Sequence, residues 1–394
     1  MTRLPSQAAG DAQPETGDAA PRSRGRKLLY VLVLLLILAG AAEVGLRVAY
    51  RIVRGTWNFA GSFDAQQRLY VPHPYNAYSL APNVTLDTHI GTLHTSPWGT
   101  RCPDRTYEKP PGVIRIVTLG GSTTFCVYAR DDSKTWPAQL EAVLNERLAP
   151  QRFEVVNYGA AGYNSADSLT TFALRAIDRD PDIVIVLHAW NDITLGIKPG
   201  LVSDYTHHRN VASHHQRGWW FQLAIARTLW YLRGKLARGR LTPNGTAEDV
   251  DPRAVDIFER NIESIVLLAQ PRGIEPVLVT FASRLPPDDD PDWKSRIDQV
   301  QFIPMRHHFT PAGVFRAVRA YNQALRSIAE RRGATLVDMA NTYPRDVKCF
   351  ADFAHKTDEG LRLFAEMVAD QLIEQGVIDR AMNRPKSPAP AGQN

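Results

Sequence analysis

Four short clusters in this 394-residue sequence hold residue types that can act together on a carbonyl or a phosphate. In the first, Gly120-Gly121-Ser122-Thr123-Thr124 follows an apolar run and opens a helical pattern. Glycines allow a sharp turn, and a helix beginning there leaves backbone N–H groups unpaired beside the Ser122 hydroxyl. A nucleophilic serine and a phosphate cradle both fit that arrangement. The Walker pattern does not, since no Gly-Lys-Ser/Thr follows and Lys134 is too distant.

The second cluster is Asp352-Phe353-Ala354-His355. A carboxylate three residues before a histidine can turn onto the imidazole and fix the tautomer whose other nitrogen is a base. Alone, the pair reads equally as a capped turn with two solvated polar groups. The remaining clusters are Asn157-Tyr158-Gly159-Ala160-Ala161-Gly162 and His188-Ala189-Trp190-Asn191-Asp192. They offer a glycine amide and an asparagine side-chain amide, both suitable donors to an oxyanion.

One scaffold edge must hold all four if they act together. Runs rich in β-branched residues at 113–119, 153–156, 182–187, 276–280 and 334–337 predict buried strands. Helical patterns lie near 136–148, 165–177, 254–269, 311–331 and 358–373. This alternation predicts an α/β fold whose parallel sheet is covered on both faces, with a crevice at the strand carboxyl ends. The clusters follow the first, second, third and fifth strands, which brings them to that edge. Long connections after the third and fourth strands, about 195–252 and 283–309, overhang it.

Upstream, residues 1–27 form a polar, Ala/Gly/Pro-rich tail that ends in the basic cluster Arg22, Arg24, Arg26 and Lys27. Residues 28–46 are apolar apart from Glu43. At about 1.5 Å per residue they match a hydrocarbon core of about 30 Å. They predict a single transmembrane signal anchor with the amino terminus in the cytoplasm and the rest of the chain outside it, periplasmic in a bacterium. A cleaved signal peptide is the alternative, since Ala39-Gly40-Ala41 fits the small-residue cleavage pattern. The net charge is +5, and eight basic against four acidic residues up to Arg54 account for +4 of it. The rest is nearly neutral, which excludes a nucleic-acid-binding domain. Residues 47–106 read as a leader packing on a domain over 107–380, with an insertion at about 195–252 and a disordered tail at 381–394. Within the insertion, residues 219–233 predict a helix with aromatics at both ends, packed on the domain or acting as an interfacial or lid helix.

Taken together, the clusters resemble the SGNH/GDSL hydrolase family over roughly residues 113–375. Thr95-Ser-Pro-Trp-Gly-Thr-Arg101 and the single span resemble its membrane-anchored branch. The resemblance implies a three-layer α/β/α fold on a five-stranded parallel, flavodoxin-like sheet. It implies Ser122 as nucleophile, His355 as base, Asp352 as its orienter, and Ser122, Gly162 and Asn191 as oxyanion donors, with Gly159 the alternative glycine. The expected activity is serine ester hydrolysis outside the cytoplasm, on an acetylated polysaccharide or a lipid ester. An acyltransferase or a non-catalytic glycan-binding module are the alternatives. Two positions depart from the family pattern: Gly121 replaces the usual Asp, and Trp190 replaces a common Gly, so that its bulk either narrows the site or displaces Asn191.

In an exported protein a Cys126–Cys349 disulfide could tie the nucleophile helix to the base loop, with buried free thiols as the alternative and Cys102 able to replace either partner. The pairs His207-His208, His214-His215 and His307-His308 lack metal-site spacing. No metal or other cofactor is expected.

Overall fold

A computed structural model describes residues 24–54, 68–88, 90–208, 223–239, 245–297, 300, 305 and 308–383. The amino-terminal tail, the carboxyl tail beyond Asn383, residues 219–222 of the aromatic helix, and His214, His215 and His307 lie outside these residues. The chain divides into two compact units, residues 1–59 with 220–231, and residues 60–219 with 232–394.

In the first unit a single helix runs over Arg24–Arg54, longer at both ends than the predicted span, and its Gly25–Ile52 stretch is long and apolar enough to cross a membrane. Glu43, the one carboxylate in the apolar run, accepts N–H bonds from Ala224 at 2.8 Å and Ile225 at 3.1 Å. It thereby caps the first turn of the helix Ala224–Gly239, where a negative charge opposes the helix dipole. The carboxylate within the apolar run thus serves as a helix cap.

In the second unit two short hairpins precede the sheet: β1 (Tyr70–Val71) pairs with β2 (Ser79–Leu80), and β3 (Thr85–Asp87) with β4 (Thr92–His94). They are the regular part of the predicted leader. The five predicted strands follow as β5 (Val113–Gly120), β6 (Arg152–Asn157), β7 (Ile183–Leu187), β8 (Glu275–Val279) and β9 (Thr335–Val337). All pair in parallel, in the order β6-β5-β7-β8-β9, so the sheet is flavodoxin-like as expected. The order reverses beside β5, and that switch point opens a crevice at its carboxyl end.

Strands β5, β7 and β8 are buried at every residue, because helices cover both faces. Helices Trp136–Arg147 and Asp358–Glu374 pack together in one layer, with Trp136 edge-on to Phe364 at 5.4 Å. Ser165–Thr171, Pro252–Ala269 and Pro311–Arg332 form the other. The second helix departs from the uniform prediction over 165–177: after Thr171 it widens into a π turn and ends as a 3₁₀ turn at Arg179. A short helix over Val377–Asn383 also occupies residues the composition assigned to the carboxyl tail.

The end of the sheet away from the crevice is held by a buried ion pair. Arg115 of β5 is 1% exposed and lies in register with Glu154 of β6, their side chains 2.9 Å apart. Its guanidinium also donates to the carbonyls of Tyr107 at 3.0 Å and Arg179 at 2.9 Å. Removing one partner strands a buried charge, so Arg115→Met is expected to cost about 3–5 kcal/mol in chemical unfolding. The double variant with Glu154→Met should recover part of that loss; equal stability of wild type and single variant would contradict the assignment.

Candidate active site

Ser122 begins a four-residue helix, Ser122–Phe125, directly after β5. Gly121 precedes it at the turn, and a Cβ there would lie 2.6 Å from Asn191 Nδ2 and 3.0 Å from the Tyr163 carbonyl. A side chain in place of Gly121 would therefore press on the asparagine that reaches across from β7, whose amide would have to shift.

His355 and Asp352 sit on a loop closed at its base. Thr357 caps the helix Asp358–Glu374 through the Gly360 N–H at 3.1 Å, and its own N–H reaches the Cys349 carbonyl at 3.1 Å. Above that clasp the Ala351 N–H donates to the His355 carbonyl at 2.9 Å. Asp352 Oδ1 accepts from the backbone N–H groups of Ala354 at 2.9 Å and His355 at 2.8 Å. Its Oδ2 lies 2.8 Å from His355 Nδ1. A carboxylate can only accept from Nδ1–H, which leaves Nε2 as acceptor, and the Ser122 hydroxyl is 2.7 Å from it. Burial opposes the charge on Asp352, but the bonds from His355 and Ala354 outweigh it and hold the carboxyl at about 2.

Beneath the loop lies a group that no motif announced. Lys356 is buried among the rings of Tyr343, Phe350 and Phe364, its ammonium 5.2, 5.3 and 4.9 Å from their centres. It donates to the Ala282 carbonyl at 3.4 Å and the Ala354 carbonyl at 3.5 Å, which joins the exit of β8 to the base loop. Burial lowers it to about 8.

In the turn that follows β6, Gly162 adopts φ +90, a conformation side chains rarely take, and a Cβ there would lie 2.5 Å from the Tyr78 hydroxyl. Among the described residues no hydrogen bond uses the Gly162 or the Ser122 N–H. The N–H of Gly159, the alternative donor, is taken by Asn157 Oδ1 at 2.9 Å. Asn191 Nδ2 gives one hydrogen to the Tyr163 carbonyl at 2.7 Å and keeps a second.

Asn191 is steadied from behind. Asp192, fully buried, accepts the Ser165 N–H at 3.0 Å and the Ser165 hydroxyl, and Asn261 reaches the same hydroxyl at 2.9 Å. His188 Nε2 is 2.6 Å from the Ser168 hydroxyl. Burial pushes His188 down to about 3, so its 3.8 Å approach to Asp192 is not an ion pair. The sequence presented His188 and Asp192 only as flanks of Asn191. Their role in locking Trp190–Gly196 to Ser165–Thr171 needed the three-dimensional pairing.

Gly121, Ser122, Trp190, Asn191, Phe281 and His355 line a cleft whose cavity is only about 10 Å³, about one water; Gly162 does not line it. Trp190 stacks on Phe281 at 6.3 Å and leans on Phe353 at 4.9 Å. Of the two expected consequences of Trp190, narrowing is the one observed, since Asn191 remains against Gly121.

The sequence profile of the GDSL-like Lipase/Acylhydrolase family matches residues 118–363. The chain belongs to this family. It is an ester-hydrolysing enzyme. The hydrolase is similar to a lipolytic protein of the G-D-S-L family from Desulfitobacterium hafniense DCB-2, at 16% identity over 66% of this chain and 99% of that one, with a TM-score of 0.39. It is also similar to the acetylxylan esterase Axe2 from Geobacillus stearothermophilus, at 15% identity over 66% and 94%, with a TM-score of 0.42. No curated protein matches the hydrolase.

One expectation is corrected. Cys126 and Cys349 are not bridged; all three cysteines are buried free thiols. Cys126 ends the helix Ser122–Phe125 in a left-handed conformation, φ 62, which turns its sulfur onto the Thr124 carbonyl at 3.3 Å. Burial pushes its thiol up to about 12, so it behaves as a small apolar group.

Proposed function

We propose that this enzyme is a membrane-anchored, extracytoplasmic serine esterase that removes acetyl groups from a polysaccharide through an acyl-Ser122 intermediate. The observation that carries the reading is the 2.7 Å approach of the Ser122 hydroxyl to His355 Nε2, with Asp352 on the opposite ring nitrogen. His355 takes the proton as Ser122 attacks the acyl carbonyl and returns it to the departing alcohol. Water, deprotonated by His355, then releases the acid. The Ser122 and Gly162 N–H groups and the second Asn191 amide hydrogen bind the oxyanion. The Arg24–Arg54 helix is the anchor in this reading, and its length and apolarity support that role.

A small acyl group follows from the narrow cleft. Trp190, buttressed by Phe281 and Phe353, closes the space an acyl chain would need. Each methylene that must be accommodated there costs about 10-fold or more in transition-state binding. On 4-nitrophenyl esters kcat/KM is expected to fall about 100-fold or more from acetate to butyrate, and further to octanoate. A profile that rises with chain length would overturn the acetyl assignment and favour a lipid ester.

A further inference from the structure

Beside the narrow cleft the sheet edge carries a second cavity, of about 470 Å³, lined by Arg284, Arg296 and Arg345, the prolines 286, 287 and 344, and polar residues including Asn341. Among the described residues no acidic residue lines it. Three of the nearby carboxylates are held in ion pairs. Asp288 and Asp338 hold Arg326 at 3.0 and 2.8 Å, and Asp290 holds Arg296 at 3.0 Å. Arg345 donates only to neutral acceptors, the carbonyls of Leu285 at 3.1 Å, Tyr343 and Ala340. Among the described residues no carboxylate lies within 4.0 Å of Arg284 or Arg345. Two guanidinium groups thus share one concavity without a carboxylate in direct contact, while Asp288, Asp289 and Asp338 favour the charge of Arg345 from farther away. Burial also works against the charge on Arg345, a cost that a bound anion would offset.

The cavity and the Ser122 cleft are neighbours. Phe281 lines the cleft and Arg284, three residues on, lines the cavity; a three-residue stretch spans at most about 10 Å. The Arg284 N–H is bonded at 2.9 Å to the carbonyl of Phe353, whose ring supports Trp190. A polymer with one unit at Ser122 could therefore place a neighbouring unit here, and proline rings offer flat apolar faces to a sugar ring. We propose that this cavity is a subsite for a carboxylate-bearing sugar of the acetylated glycan, read by Arg284 and Arg345. Arginine suits the task because its fork matches a carboxylate in two parallel hydrogen bonds. The substrate would then be an acidic glycan, which deepens the esterase reading and rests on it.

The test is calorimetric titration of the full-length Ser122→Ala protein in detergent, which needs no turnover. The probes are oligogalacturonate, neutral xylo-oligosaccharide and inorganic phosphate. Oligogalacturonate is expected to bind at least about tenfold more tightly than either of the others, and to weaken about tenfold with Arg284→Gln. Arg284→Lys should retain part of that affinity, which separates charge from folding. In the protein with Ser122 intact, Arg284→Gln should lower the ratio of kcat/KM on acetylated polygalacturonate to that on 4-nitrophenyl acetate by a similar factor. Equal binding of the acidic and neutral oligosaccharides, tighter binding of phosphate, or indifference to Arg284→Gln would overturn the subsite. Failure to hydrolyse any ester while oligogalacturonate still binds would instead remove the esterase reading.

Discussion

Ser122→Ala is expected to lower kcat/KM on 4-nitrophenyl acetate by about 10⁴- to 10⁶-fold while leaving the circular dichroism spectrum unchanged. Among the described residues the side chain makes one polar contact, the 2.7 Å bond to His355 Nε2, and it lines the cleft. Its removal takes away the hydroxyl aligned with that nitrogen, yet retains the N–H at the start of the helix. The residual rate should therefore come from the oxyanion donors acting on water, and it should stay above the uncatalysed rate. A loss below about tenfold would mean that another nucleophile carries the reaction.

Asp352→Asn should cost about 10³- to 10⁴-fold in kcat, for a reason specific to this loop. One oxygen of Asp352 is occupied by the N–H groups of Ala354 and His355, so an asparagine would keep its carbonyl there and turn its amide toward His355 Nδ1. That amide donates, so Nδ1 must accept, and the ring proton moves to Nε2, where it faces the Ser122 hydroxyl. The base is lost although the ring has not moved. The native carboxyl, held at about 2, is ionised throughout the neutral range. Because its folded value is depressed, its contribution to stability is present above the ordinary carboxylate range and is lost as pH falls through about 2. Acid inactivation above about pH 4 is therefore not its protonation, and Asp352→Asn should flatten the stability profile only between about 2 and 4. Unfolding midpoints across that range check the sign.

Much of this scaffold is legible in the sequence because burial on both sheet faces leaves continuous β-branched runs, as in β5 and β7. Those runs give strand positions within a residue or two, and the motifs that follow them mark the crevice edge. Features made by contacts between distant segments are not legible in this way. The close approach of Asn191 to Gly121 joins segments about seventy residues apart. No pattern in the sequence marks Lys356, yet it is enclosed by three rings from separate elements. The Cys126–Cys349 expectation fails for the same reason: sequence nearness to Ser122 and Asp352 says nothing of the left-handed turn that aims the Cys126 sulfur at its own helix. Gly159 and Gly162 are separated only by where the Asn157 side chain goes.

The central claim is that one serine, activated by His355, forms a covalent acyl intermediate. It is tested most directly by labelling the full-length protein with a fluorophosphonate and mapping the modified peptide by mass spectrometry. A single adduct on Ser122 is expected, absent in Ser122→Ala and formed much more slowly in Asp352→Asn. No adduct on the wild type, or an adduct that persists in Ser122→Ala, would contradict it.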